Sequence, residues 1–201
     1  QVWIANPDGS HIHPLTANPQ EPVLGLGVSP DSRYVVFQRL AGRHTRIWRM
    51  KMDGSDQQLL THGDLDQGPV PGPDGFVYFH RIVDGLPRTF KVPLDGGETV
   101  QVSEHPFRPI DVSRDGTQLL GVGWNAEAQR SVLALMPVTG GAPRLLGTIP
   151  AVAGTFSPDG KGVVFPVVDR GVVRLVVLDL ETAKLTAIGA VPDIVFNVAY
   201  S

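Results

Sequence analysis

The sequence predicts an all-β fold built from repeated four-stranded antiparallel units, and three observations carry the prediction. A short turn motif recurs as Ser29-Pro30-Asp31-Ser32, Gly72-Pro73-Asp74-Gly75, Ser113-Arg114-Asp115-Gly116 and Ser157-Pro158-Asp159-Gly160, with steps of 43, 41 and 44 residues between its aspartates. A second series interleaves with the first, as Asp8-Gly9, Asp53-Gly54, Asp95-Gly96, Thr139-Gly140 and a degraded Glu181-Thr182. The stretches between turns are rich in aromatic and β-branched residues and show no helical periodicity. A constant period of this length marks an array of supersecondary units. Two turns per period mean two hairpins per unit.

Both motifs have a mechanical reason. In Ser-Pro-Asp-Gly the proline presets φ for the first central turn position, and glycine accepts the left-handed conformation that follows. Asp-Gly between apolar runs is a favoured hairpin sequence because few residues tolerate positive φ there. The recurrent aspartates therefore read as carboxylates bonding their own turns, ahead of any role in calcium ligation or catalysis.

The strands follow in order along each repeat. The first carries glycine, as in Leu24-Gly25-Leu26-Gly27-Val28 and Ala153-Gly154-Thr155-Phe156, which suits strands crowding toward an axis. The second comes directly after the proline turn as Tyr34-Val35-Val36-Phe37, Phe76-Val77-Tyr78-Phe79, Leu119-Leu120 or Val163-Val164-Phe165, nearly continuous in apolarity and hence buried on both faces. The third precedes the second turn, as Val2-Trp3-Ile4, Ile47-Trp48-Arg49-Met50, Thr89-Phe90-Lys91-Val92, Val132-Leu133-Ala134-Leu135 or Leu175-Val176-Val177-Leu178. Polar residues in this set place it farther from the axis. The fourth follows the second turn, as in Gln57-Gln58-Leu59-Leu60-Thr61 and Ala142-Pro143-Arg144-Leu145-Leu146. Four strands in about 42 residues is the size of a propeller blade, so the fold class is a β-propeller of four-stranded antiparallel blades.

The complete repeats run approximately over residues 20–62, 63–103, 104–147 and 148–189 of a single domain spanning 1–201, with 1–16 and 190–201 as partial blades. Residues 1–16 supply two outer strands, and residues 194–201 supply one innermost strand. The array reads either as a five-bladed closure or, the favoured reading, as a segment of a larger propeller of about six to eight blades. An incomplete array exposes sheet edges, so strand-edge dimerisation is expected to be open to it.

The run Ile47-Trp48-Arg49-Met50-Lys51-Met52-Asp53-Gly54-Ser55, followed by Gln58-Leu59-Leu60-Thr61, resembles the repeat of TolB-type (WD40-like) β-propellers. So does each Ser-Pro-Asp-Gly turn that precedes a strand of Val and Phe. The resemblance covers essentially the whole chain and departs locally, where Arg114 replaces the turn proline, Gly72 the turn serine, and Glu181-Thr182-Ala183 the Asp-Gly. It implies a bacterial, periplasmic or otherwise extracytoplasmic setting, and a scaffold for protein–protein interaction or sensing within a larger protein. Two alternatives stay open: an accessory propeller of a prolyl-oligopeptidase-like peptidase, and a propeller carbohydrate lyase.

Composition agrees with a core-forming chain: 201 residues, 42% hydrophobic, with a net charge of −3 and no basic block, which argues against a nucleic-acid partner. The most apolar region, residues 163–180, is interrupted by Pro166, Asp169, Arg170 and Arg174, so no direct membrane insertion is expected. The absence of cysteine removes disulfides, thiolate catalysis and cysteine zinc sites. There is no Gly-x-Ser-x-Gly elbow, Walker loop or dinucleotide fingerprint, so no catalytic residue, enzyme activity or cofactor is predicted. His11-x-His13 places two imidazoles on one strand face, but with no third ligand near in sequence it reads as an edge pair rather than a metal site.

The expected binding surface lies opposite the two turn motifs, on the loops at 40–45, 84–88, 125–130 and 169–171 and the interblade loops at 62–67, 104–108 and 149–152. Within these, Arg43, His44, His62, Asp64, Asp66, Arg88, His105, Phe107, Arg108, Asn125 and Arg170 offer the varied polarity that suits a protein or peptide partner. Trp124 reads as a blade-packing side chain, with projection into the channel mouth as the alternative.

Overall fold

A computed structural model describes residues 1–17, 21–170 and 172–191. The expected innermost strand at 194–201 lies outside the described residues, as does Gly171 of one expected loop. The chain divides into two compact units, one of Gln1–Gly85 with Phe90–Val100, the other of Leu86–Thr89 with the chain from Gln101 onward.

In the first unit, β1 (Trp3–Ile4) pairs with β2 (His13–Pro14), and β3 (Val23–Val28), β4 (Tyr34–Ala41), β5 (His44–Lys51) and β6 (Gln58–Leu59) form one four-stranded antiparallel blade in sequence order. The next blade begins with β7 (Asp66–Pro71), β8 (Phe76–Val83) and β9 (Leu86–Pro93). In the second unit, β10 (Val100–Val112), β11 (Gln118–Asn125), β12 (Arg130–Pro137) and β13 (Arg144–Pro150) are neighbours in that order. They are followed by the blade of β14 (Thr155–Phe156), β15 (Gly162–Asp169), β16 (Val172–Asp179) and β17 (Leu185–Val191). Meandering antiparallel blades of this kind make the chain a β-propeller. β10 spans 13 residues where four strands per repeat predict two, because no turn residue pair separates the end of one repeat from the start of the next.

The second strands are the most deeply buried, as their unbroken apolarity requires: Val36 and Phe37, Val77 to Phe79, and Leu119 and Leu120 have almost no exposed surface. In the first unit Val36, Ile47 and Leu60 pack on Val77, Phe79, Phe90 and Val92 of the following blade, with the Phe79 and Phe90 rings stacked at 5.9 Å. In the second unit Leu120, Leu133 and Leu135 meet Phe156, Val163, Phe165 and Leu178. Each such side chain contributes about 1.5–3 kcal/mol on burial, so the blade-to-blade seams dominate stability. Glycine in the first strand serves the same seam: a Cβ on Gly27 would lie 2.7 Å from Cδ of Pro71.

The recurrent aspartates bond their own turns. Ser29 donates to Asp31 at 2.6 Å, Ser113 to Asp115 at 2.6 Å and Ser157 to Asp159 at 2.5 Å, while the backbone amides of Arg33, Thr117 and Lys161 donate to the same carboxylates. Each serine oxygen also accepts the amide of the residue that opens the next strand, Tyr34, Gln118 or Gly162. These bonds hold the three carboxyls below their ordinary pKa, the serine hydroxyl first and the amide second. In the degraded fifth member of the second turn series, Ala183 takes φ 56° and Asp179 accepts the amides of Glu181 and Thr182, so the turn survives without glycine.

Candidate binding site

Antiparallel strands send the loop between the second and third strand of a blade to the end opposite the aspartate turns. In the second unit that end is shaped by the close of β11, where Trp124 stands opposite Ser131 and Asn125 opposite Arg130. Trp124 is 54% exposed and is therefore not a blade-packing tryptophan. It lines a cavity of about 240 Å³ whose other walls include Pro87, Pro106, Val152 and Arg108. Arg108 enters from β10 opposite Val122, and its Nη2 donates to the Val152 carbonyl at 2.9 Å. Burial lowers its pKa, but a guanidinium remains a cation across the accessible range. An indole face, two proline rings and a fixed cation thus surround one small concavity.

The neighbouring backbone is tied down by side chains from the start of β9. Arg88 donates to the Glu104 carbonyl, and Thr89 Oγ1 donates to the Phe107 carbonyl at 3.0 Å. These bonds hold the segments that carry Pro87 and Pro106.

Of the residues expected on the loop surface, only Arg108 lines this cavity. Phe107 has no exposed surface, and its ring lies over Gly121, where a Cβ would approach Phe107 Cζ to 2.3 Å. It is a core residue because the alternation of β10 turns it inward. Asn125 is spent on its own loop, accepting the Ala128 amide at 2.8 Å. His105 is exposed, with its backbone amide donating to Ser103 Oγ at 3.1 Å, and Arg170 is exposed in the β15–β16 hairpin at φ 49°.

The first unit holds the remaining five. Arg43 is exposed at the β4–β5 tip, and His44 Nδ1 meets Asp64 Oδ1 at 2.9 Å. His62 is exposed beside them in sequence. Asp66 is fully buried: Arg81 Nε and Nη2 donate to it at 2.6 and 3.1 Å, and the Gly63 amide at 3.1 Å. Its carboxylate is enclosed and bonded by Arg81 and the Gly63 amide, so it is not part of the loop surface. His11 and His13 bond locally, to Asn6, Ser10 and the His11 carbonyl, and among the described residues no group of three histidines or carboxylates is placed to hold a metal ion.

Sequence reasoning left two groups unnamed. Pro87 and Pro106 line the cavity and stand on the expected loops at 84–88 and 104–108, where the sequence reading singles out only Arg88, His105, Phe107 and Arg108. Asp111 is the other: its Oδ2 accepts Thr155 Oγ1 at 2.7 Å and the Phe156 amide at 2.8 Å, joining the first strands of two successive blades.

No family model matches the sequence, and no curated protein sequence matches it. Solved structures do resemble the fold. TolB from Acinetobacter baumannii superposes with a TM-score of 0.79 at 17% identity, over 94% of this chain and 48% of that one. Oligogalacturonate lyase from Vibrio parahaemolyticus gives 0.67 at 14% identity over 94% and 59%. A puromycin-hydrolyzing peptidase from Mycobacterium tuberculosis gives 0.63 at 16% identity over 89% and 30%. The chain spans about half the length of the TolB it resembles. At these identities the likeness shows the fold alone, and that one fold is shared by TolB, a lyase and a peptidase.

Proposed function

Because the chain carries the TolB-type β-propeller fold, we propose that it is a non-catalytic recognition module of a larger bacterial protein, binding a protein or peptide segment at the Trp124 cavity. The carrying observation is Trp124 itself. A large aromatic that keeps 54% of its surface in solvent, beside two prolines and an anchored arginine, forfeits burial energy that a partner recovers. Aromatic and arginine anchors are the residues on which interfaces concentrate their energy. An extracytoplasmic setting is part of the proposal and is supported by the likeness to TolB. Among the described residues no helix is long and apolar enough to cross a membrane.

The test is selection of binding peptides from a random display library on the chain, followed by titration against Trp124→Ala and Arg108→Gln. The proposal expects enriched peptides whose affinity falls in both variants while the melting temperature holds. The likeness to a peptidase favours a second reading, in which the module gates a hydrolase encoded beside it; a nucleophile elbow in the adjoining sequence would select that reading.

Self-association has its own supporting observation. β3 stands at the end of its sheet, and Leu24, Leu26 and Val28 are exposed along one face. We propose that a second copy covers this edge. Sedimentation across a concentration series would show a dimer that Leu26→Lys abolishes; a monomer throughout removes the proposal.

A further inference from the structure

The outermost strand of the third blade leaves its ladder by more residues than the one-residue bulges described in the other blades. β12 and β13 pair Ala134 with Leu145 and Val132 with Pro150, so two steps along β12 correspond to five along β13. Four residues of β13, Leu146 to Ile149, therefore stand against the single Leu133 of β12, and the segment leaves the ladder with Gly147 at φ 117°. Bulges of this kind are placed features that re-aim side chains.

The excursion opens a cavity of about 400 Å³ between this blade and β16–β17 of the next, within the second unit. Leu146, Ile149, Phe165 and Leu178 supply apolar walls continuous with the core. Its volume falls in the range of sites that take small organic ligands, roughly 300–1,000 Å³. Arg144 lines the cavity, and its guanidinium has no hydrogen bond or ion pair among the described residues. Asp179 also lines it, but its Oδ1 already accepts the Glu181 amide, the Thr182 amide and the Thr182 hydroxyl. One charge at the mouth is satisfied by its own turn, and the other is free.

We propose that this interblade cavity is a binding site for a small amphipathic carboxylate, its alkyl chain against Leu146, Ile149 and Phe165 and its carboxylate paired with Arg144. The site is separate from the Trp124 cavity and does not depend on the role assigned there. An unpaired guanidinium above an apolar cavity selects an anionic head over a neutral one, because a charge-assisted hydrogen bond is stronger than a neutral one.

Calorimetric titration of the full chain with octanoate, octanol and octylamine tests the assignment. Octanoate is expected to bind roughly tenfold or more tightly than octanol, and Arg144→Gln to remove that difference. Thr148→Trp, at an exposed lining position that leaves the core untouched, is expected to abolish octanoate binding by filling the mouth. Failure of octanoate to bind at millimolar concentration overturns the proposal. So does equal binding of octanol, preference for octylamine (which would make Asp179 the anchor), or binding that survives Arg144→Gln unchanged.

Discussion

The phenol of Tyr78 donates to Asp74 Oδ2 at 2.6 Å, in the one repeat whose turn has glycine where the others have serine. The hydroxyl that Ser29, Ser113 and Ser157 bring from inside the turn arrives here from the following strand. Burial raises the Tyr78 pKa, with the bond to Asp74 adding to it, so the phenol stays protonated and remains a donor. Tyr78→Phe is expected to cost about 1 kcal/mol, and Gly72→Ser in that background to recover part of it, because the serine oxygen restores the bond. Urea unfolding of the two variants beside the parent checks both signs.

Acid lability should follow the serine turns. Asp31, Asp115 and Asp159 have folded pKa values below their unfolded ones, so their contribution is present above about pH 4 and is lost as pH falls through the folded values. Ser157→Ala removes the largest cause of the shift at Asp159. The variant is expected to be destabilised at pH 7 and to converge on the parent in acid, as denaturation at the two pH values would show.

Asp111 carries the opposite sign. Burial raises its pKa, against the bonds from Thr155, Phe156 and Val112, so the folded state favours the protonated form. Its contribution to stability is greatest below the unfolded pKa and declines as pH rises through the folded one. Asp111→Ala leaves the buried Phe156 amide without its acceptor and is expected to cost about 1–3 kcal/mol at neutral pH. Asp111→Asn should flatten the pH dependence, with its penalty largest in acid. Unfolding curves from pH 4 to 8 test the slope.

Two glycines, Gly27 at a blade-to-blade seam and Gly121 within the β10–β11 pair, separate by what their missing side chain would strike. Alanine at Gly27 meets the Pro71 ring at 2.7 Å, whereas alanine at Gly121 meets the Phe107 ring at 2.3 Å and the Arg108 carbonyl at 2.5 Å. Both should destabilise by about 1–3 kcal/mol, with Gly121→Ala the worse because backbone must move. Pro71→Ala should relieve the first and leave the second unchanged.

The turn spacing made the blades legible, because proline, aspartate and glycine fix local geometry wherever the chain packs. Seams between blades were legible for the same reason, through the continuous apolarity of the second strands. The site was legible only in part. Loop residues could be named, but whether a side chain faces solvent depends on register: Phe107 turns inward and Trp124 outward on strands that read alike. Asp66 looked like a surface carboxylate because its partner, Arg81, sits on the neighbouring strand, 15 residues away. The β13 excursion left no stronger trace than one glycine, Gly147.

The most direct measurement of the recognition role is the affinity of display-selected peptides for the parent chain and for Trp124→Ala, read by tryptophan fluorescence and calorimetry with stability monitored in parallel. The account predicts a blue-shifted Trp124 emission on binding and at least a roughly tenfold loss of affinity in the variant, the size of a hot-spot deletion. Peptides that bind both proteins equally, or a library that yields no binder, would contradict it.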